Sequence, residues 1–440
     1  PYSLRPNTNN VTLNYEWKTD TLGSKLNLLA DYVGEREHDL YEYENKYTLG
    51  IGGDSIISKS QPSFEHINIY SAQVDFTKFF NRHQFTLGVK YVNAGINYDN
   101  KLYLGNTTLG GVLSEDVDQR DNFSYDEQRY AIYGMYRYSS RPWDFQVGLR
   151  DEYTEWNTQQ RVRTQLHNNQ KGNNFFPSFF VRKNMGQGNA LSLSYTQSIN
   201  RPSYQMVNPF VFHLSETSYK EGNPNLKGEL LYNAGLQFVL KSRYVFSLSA
   251  FFIDRKINEV YEQMNEQQTR YTLRNDGNLK KLALYMEFPF TCGIWNSRSN
   301  VELSENFYRN STKRVNDFGL VLSSFNRFRL SKQLTAMANL RYIRHYKQLY
   351  LIQKSDYFGV DIEGDCLKDK LNINFGVKDL LNSRGKNQQI FKNGDFEHRT
   401  DFDFISRKFF VSVTFSFSAG SKHAIQHDKI HSNEEEKERM

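Results

Sequence analysis

From Val11 to Trp17 apolar and polar residues alternate one for one, and the same period of two returns along the whole chain. A period of two puts one set of side chains on each face of a β-strand, whereas a helix would repeat every 3.6 residues. The early runs are Val11–Trp17, Lys25–Tyr32, His66–Phe79, Gln84–Tyr98, Gln128–Tyr138 and Trp143–Trp156. The middle of the chain carries Phe175–Arg182, Ala190–Thr196, Leu230–Leu240, Tyr244–Asp254, Thr269–Phe288 and Trp295–Tyr308. The last are Asp317–Phe328, Gln333–Arg344, Tyr357–Glu363, Leu371–Leu381 and Lys408–Phe417, which makes about seventeen strands in an all-β chain.

The links between the runs sort by parity. Odd-numbered strands are followed by short turns such as Phe80 to His83, Ser139 to Pro142 and Lys241 to Arg243. Even-numbered strands are followed by long polar links: Val33 to Glu65, Asp99 to Glu127, Asn157 to Asn174, Ser198 to Glu229, Arg255 to Gln268, His345 to Asp356 and Asn382 to Arg407. One even link, Arg309 to Arg314, is short. An up-and-down outer-membrane barrel has this asymmetry, with short periplasmic turns and long extracellular loops, and a sandwich or propeller has no reason for it. The expected fold is therefore a large antiparallel transmembrane β-barrel over residues 1–418, with a polar periplasmic tail over residues 419–440. An odd number of strands does not close a single-chain barrel. The expectation is seventeen visible strands of about 22, incomplete at the N-terminus.

Composition sharpens this picture. Aromatic residues make up 15% of the 440 residues in a chain only 38% hydrophobic, and Tyr and Phe gather near strand ends, as aromatic girdles require. No stretch approaches the roughly 18 consecutive apolar residues of a membrane helix. A net charge of +6 with scattered Lys and Arg offers no nucleic-acid footprint. The two cysteines, Cys292 and Cys366, fall in turn-like segments, and spacing alone leaves their pairing open.

The chain gives little support to enzyme or metal chemistry. No GxSxG elbow is present, and His213 with Glu216, or Asp151 with Glu152, do not stand out from other polar pairs. His423, His427 and His431 lie four apart in the polar tail, and Glu115, Asp116 and Asp118 lack the rest of a calcium loop. No catalytic residue, metal ligand or cofactor is assigned.

The link from Ser198 to Glu229 is the most unusual stretch. It holds Pro202, Pro209 and Pro224 among four aromatic residues, so it reads as an ordered loop that is neither helix nor inner strand. Arg201, Tyr204, Asn208, Tyr219, Glu221, Asn223 and Asn225 are candidate contacts for a polar ligand. The same residues suit a scaffold better, because Asn-Pro and Gly-Asn-Pro steps form turns and aromatic rings pin a loop to a rim.

The run Asn200-Arg201-Pro202-Ser203-Tyr204, then Asn208-Pro209-Phe210, then Glu221 to Lys227, resembles the outer-membrane β-barrel family of Bacteroidetes, which belongs with the TonB-dependent receptors. Phe375 to Asn382 is similar to that family's penultimate-strand motif, and Lys408 to Phe417 to its closing strand. Gly228 stands where the family usually has Pro. The resemblance implies a 22-stranded barrel with a plug and an N-terminal β-sandwich ahead of this chain. It also implies gated uptake energised from the inner membrane. Its partners would be outer-membrane lipids and the TonB complex acting through parts outside this chain, while a surface lipoprotein partner is left open by the sequence. A passive porin or adhesin is the alternative reading, and a barrel-rim hydrolase a third.

Overall fold

The computed structural model describes residues 2–3, 7–49, 53–106, 112–117, 120–160, 167–215, 217–266, 268–368, 370–417 and 433–440. Twenty strands form one sheet, of which Tyr2–Ser3, Tyr103–Asn106 and Ser114–Glu115 are short marginal pieces. The other seventeen form a wall. They begin with Asn7–Lys18, Lys25–Leu49, Gly53–Phe80, His83–Asn100, Asp121–Ser140 and Trp143–Gln160. They continue through His167–Gly186, Asn189–Asn200, Glu229–Leu240, Tyr244–Asp254, Asn278–Cys292 and Trp295–Arg309. They end with Arg314–Arg329, Leu334–Ile343, Tyr357–Lys368, Leu371–Lys378 and Lys408–Phe415. Each pairs antiparallel with the next in sequence. Among the described residues no ladder joins Asn7–Lys18 to Lys408–Phe415.

The alternation gives the wall two chemically distinct faces. In His83–Asn100 the outward set is Phe85, Leu87, Val89 and Tyr91, with Leu87 64% exposed. The neighbouring strand answers with Tyr136, Ile132 and Tyr130, and the next with Phe145, Val147, Leu149 and Tyr153. Rings close both ends of this band: Phe85, Tyr136, Phe145 and Phe179 meet in series, tilted or edge-on, near the short turns, and Tyr91 meets Tyr130 six residues further along the strand from Phe85. From Phe145 to Tyr153 the strand rises about 27 Å, close to the height of an outer-membrane apolar band. An exposed apolar face of this size is the mark of a surface that meets a membrane or another protein, and its band height fits a membrane.

Short turns follow the expected chemistry. Asn81 and Gln187, with φ of +52° and +50°, lie in two-residue hairpin loops, where right-handed strand twist favours positive φ, and Lys241 and Ser242, at +51° and +52°, lie in the three-residue loop between Leu240 and Tyr244. Cys292 and Cys366 are both free thiols; Cys292 ends a strand, and Cys366 lies inside Tyr357–Lys368, opposite Leu334, rather than in a turn.

Two expectations are corrected, and the interior adds a finding of its own. The link Val33 to Glu65 is largely strand, since Lys25–Leu49 stays paired with Gly53–Phe80 as far as Leu49 and Gly53. Beyond the apolar band the alternation thins to Tyr41, Tyr43, Tyr47 and Leu49 among charged and polar residues, which reads as a polar link. The run Thr269–Phe288 is two elements, Thr269–Asn275 and Asn278–Cys292, divided at Gly277 with φ +89°. The interior is not uniformly polar. Val33, Ile67, Ile69, Val92, Ala94, Ile96 and Phe123 face inward toward the long-link end and are at most 1% exposed, so something covers them from inside.

At that end the long links fold on one another. Val211–His213, Ser218–Glu221, Thr269–Asn275 and Ile257–Gln263 form one small sheet, and Tyr346–Lys347, Leu351–Gln353, Lys386–Asn393 and Phe396–Asp403 another. Tyr261 joins the two, its ring 4.4 Å from that of His398 and 4.6 Å from that of Phe391. The Asp379-Leu380-Leu381-Asn382 run is a lock for the last of these links. Asp379 and Asn382 have φ of +48° and +54°, which Asp and Asn tolerate better than most residues. The Asp379 carboxylate accepts the backbone N–H groups of Ser383 and Arg384 and the hydroxyl of Ser406, while Asn382 Oδ1 accepts N–H groups of Ser406 and Arg407. Asp379→Ala strips the carboxylate from three donors. It is expected to cost about 2 kcal/mol and to expose residues 383–407 to protease before the wall unfolds. Unchanged cleavage would remove this role.

Candidate functional site

The long link 201–228 folds inward. Ser203 caps a single helical turn, Tyr204–Val207, with its hydroxyl accepting the Met206 N–H. That turn, with Leu226, brings Tyr204, Val207 and Leu226 onto the inward apolar patch of the wall, all at most 3% exposed. The link therefore contains a helical turn where its prolines led us to expect none. Covering each large apolar side chain on the wall is worth about 1.5–3 kcal/mol, which is the force that draws the link inside.

Gly222 fixes the fold of the link. Its N–H donates to the Asn208 carbonyl at 3.1 Å, and the Asn223 N–H donates to the Met206 carbonyl at 2.8 Å. A Cβ on Gly222 would strike both of those carbonyl oxygens, so this close crossing of the chain accepts only glycine.

Among the seven candidate residues, most hydrogen bonds are internal. Asn208 Oδ1 accepts the Phe210 N–H at 3.1 Å. Asn223 Nδ2 donates to the Leu273 carbonyl at 2.9 Å while its Oδ1 accepts the Asn225 N–H at 2.9 Å. Asn225 Oδ1 accepts from Asn168 at 3.0 Å, and Glu221 pairs with Arg270 at 3.2 Å. Tyr219 lies in the small loop sheet, 6.3 Å from the His213 ring. The seven residues do not converge on one site. Glu221, Asn223 and Asn225 border a polar cavity of about 460 Å3 with Gln160, Arg270 and Arg274, whereas Arg201 and Tyr204 lie beneath the link.

Arg201 and Tyr204 belong to a buried charge cluster that the sequence did not reveal. Glu127, Arg129, Arg150 and Glu152 face inward from two adjacent strands. Arg201 donates to Glu152 at 2.6 Å and to Glu435 at 2.5 Å. Arg129, 1% exposed, donates to both oxygens of Glu435 at 2.9 Å and also pairs with Glu436. Arg439 donates to both oxygens of Glu127 at 3.0 Å and to the Pro202 carbonyl at 3.2 Å, and its guanidinium lies 4.4 Å from the Tyr204 ring centre. Burial pushes the Glu435 carboxyl up, but the Arg201 and Arg129 charges outweigh it and hold it at about 2. The sequence signal for the wall half is charge at i and i+2 within a strand, Glu127 with Arg129 and Arg150 with Glu152. The distant partners carry no periodicity.

The cluster takes in the far end of the segment 419–440, expected from sequence as a polar periplasmic tail. Residues 419–432 lie outside the described residues. Asn433–Met440, with a helical turn Glu434–Glu438, pack on the inner wall beneath the long link, not at the short-turn end where Phe417 follows the last strand. Their charges match the wall's, acid to base and base to acid.

The enzyme pairs considered above do not assemble. Asp151 and Glu152 are consecutive in a strand and point to opposite faces. Glu216, Asp118 and the three tail histidines lie outside the described residues. Among the described residues no three His, Cys, Asp or Glu side chains gather as metal ligands would.

The profile of the outer membrane protein beta-barrel family matches residues 17–417. The chain belongs to this family. No curated relative matches it by sequence. This family member is similar in fold to the ferric-catecholate import receptor Fiu from K12 E. coli, at 12% identity and a TM-score of 0.60, over 94% of this chain and 64% of the receptor. It is likewise similar to the ferric yersiniabactin uptake receptor FyuA from Yersinia pestis, at 12% identity and a TM-score of 0.58, over 94% and 62%. The siderophore receptor PiuA from Acinetobacter baumannii gives 11% identity and a TM-score of 0.59, over 93% and 64%. The chain thus spans less than two thirds of each receptor's length. It is an outer-membrane protein of the β-barrel family.

Proposed function

We propose that the chain supplies the wall and outer loops of a TonB-dependent import receptor, with the long-link end facing outside the cell and the short turns facing the periplasm. The long links would capture a ligand at the outer rim. Energy from the inner membrane, acting through parts outside this chain, would then open a path along the inner wall. The observation that carries this reading is the covered interior: the link 201–228 and Asn433–Met440 occupy the inner face of the wall, so a freely open channel is not what the fold offers. The polar cavity beside Glu221, Asn223 and Asn225 supports a hydroxyl-rich or charged ligand. The ferric siderophores named for the similar receptors are the first ligands to test.

Cells expressing the whole protein should accumulate a radiolabelled ferric siderophore only while the inner membrane is energised, and a protonophore should stop uptake. Uptake that continues at the same rate after de-energising would favour a passive porin.

A further inference from the structure

We propose that Asn433–Met440 is a releasable stopper of the barrel interior, held in place by Glu127, Arg129 and Arg201. The segment reads Asn-Glu-Glu-Glu-Lys-Glu-Arg-Met, and only its terminal Met440 packs against the apolar cluster. Its attachment is therefore almost wholly ionic. Glu435 bridges Arg129 and Arg201, Glu436 meets Arg129 and, at 3.8 Å, Lys90, and Arg439 grips Glu127. One backbone bond adds to these, the Tyr204 N–H donating to the Arg439 carbonyl at 3.2 Å.

Two features make this a reversible seat rather than a permanent part of the core. Buried polar groups in a settled interior are almost always paired. Here the amide of Asn433, 0% exposed, has no hydrogen-bond partner among the described residues, and Arg129 Nε has none either. Leaving such groups unpaired carries a desolvation penalty that offsets part of the ionic attraction. The geometry also permits release. Sixteen residue steps separate Phe417 from Asn433, a contour of up to about 55 Å, against roughly 30 Å for a bilayer's apolar core. The segment can leave its seat without unpairing any wall strand.

The stopper sits where traffic would pass. Arg439 and Arg201 share one cavity of about 410 Å3 with Glu127, Trp156 and Leu226, under the inward link. Removing Arg439 from that space opens the cavity and leaves Glu127 in need of a cation. A segment bearing opposite charges in the right order would compete for the same seat.

The test uses the whole protein in proteoliposomes, with Cys292→Ser and Cys366→Ser removing the natural thiols and Met440→Cys supplying a probe. A membrane-impermeant maleimide is expected to react slowly with the probe while the segment is seated. Arg439→Glu and Glu127→Arg, each alone, should speed labelling at least about tenfold, because each places like charges together in a buried site. The double reversal, Arg439→Glu with Glu127→Arg, should restore slow labelling, and heat-modifiable gel migration should show all four barrels folded. Efflux of a small trapped sugar should rise in the single variants and fall again in the double. Fast labelling of the unreversed protein, or a double variant as fast as the singles, overturns the seat. Faster labelling with unchanged efflux overturns the stopper. Neither result bears on which ligand the receptor imports.

Discussion

Tyr204→Ala is expected to detach the link 201–228 from the inner wall, at a cost of about 3 kcal/mol, while Tyr204→Phe leaves it seated. The ring carries the packing. Tyr204 is 0% exposed, lies 5.5 Å from the Tyr125 ring and has the Arg439 guanidinium over its face. Its hydroxyl finds no hydrogen-bond partner among the described residues. Removing an oxygen that is already unpaired costs nothing and relieves a buried polar group. Limited proteolysis between residues 201 and 229 is the direct readout, with rapid cleavage in the alanine variant alone. The pair also separates the two readings of the motif. A scaffold tyrosine tolerates Phe in uptake as well as in folding. A ligand-binding hydroxyl would make Tyr204→Phe lose uptake while keeping the link protected.

The second large effect concerns lipid. Leu87→Arg should prevent stable insertion, at a cost of about 2–4 kcal/mol for arginine near the bilayer midplane, whereas Thr86→Arg one residue away should fold. Leu87 is in the middle of the outward band between Phe85 and Tyr91, and Thr86 faces the interior, where its hydroxyl lies 3.3 Å from that of Thr77. The comparison holds composition and position along the strand nearly constant and changes only the face. Urea unfolding from lipid vesicles gives the difference. Equal losses at the two positions would mean that the outward face does not meet hydrocarbon.

The wall was legible because lipid imposes a rule on every second residue. Each run from Val11–Trp17 to Lys408–Phe417 lies in or overlaps one wall strand, and the short turns fall where expected. Legibility stopped where lipid stops. Asp39 to Asn45 continue as strand marked only by Tyr41 and Tyr43 among acidic residues, and Thr269–Asn275 pairs only with other loops. The motif from Asn200 to Lys227 was visible, but not its direction. Only the inward apolar patch around Ile67, Ile69 and Ile96 explains why the link folds into the barrel. Those three residues looked like ordinary members of alternating strands. The charge cluster was the least legible. Glu127 and Arg439 are 312 positions apart, and nothing local to either announces the other.

The central claim is that one face of each strand meets lipid and the other an occupied interior. Spin labels placed singly from Phe85 to Ile96 on the reconstituted protein test it most directly. Oxygen accessibility should peak at positions 85, 87, 89 and 91, and positions 92, 94 and 96 should be shielded from both oxygen and a water-soluble nickel reagent. Loss of the period of two, or nickel access at 92, 94 and 96 equal to that of bulk water, would contradict the account.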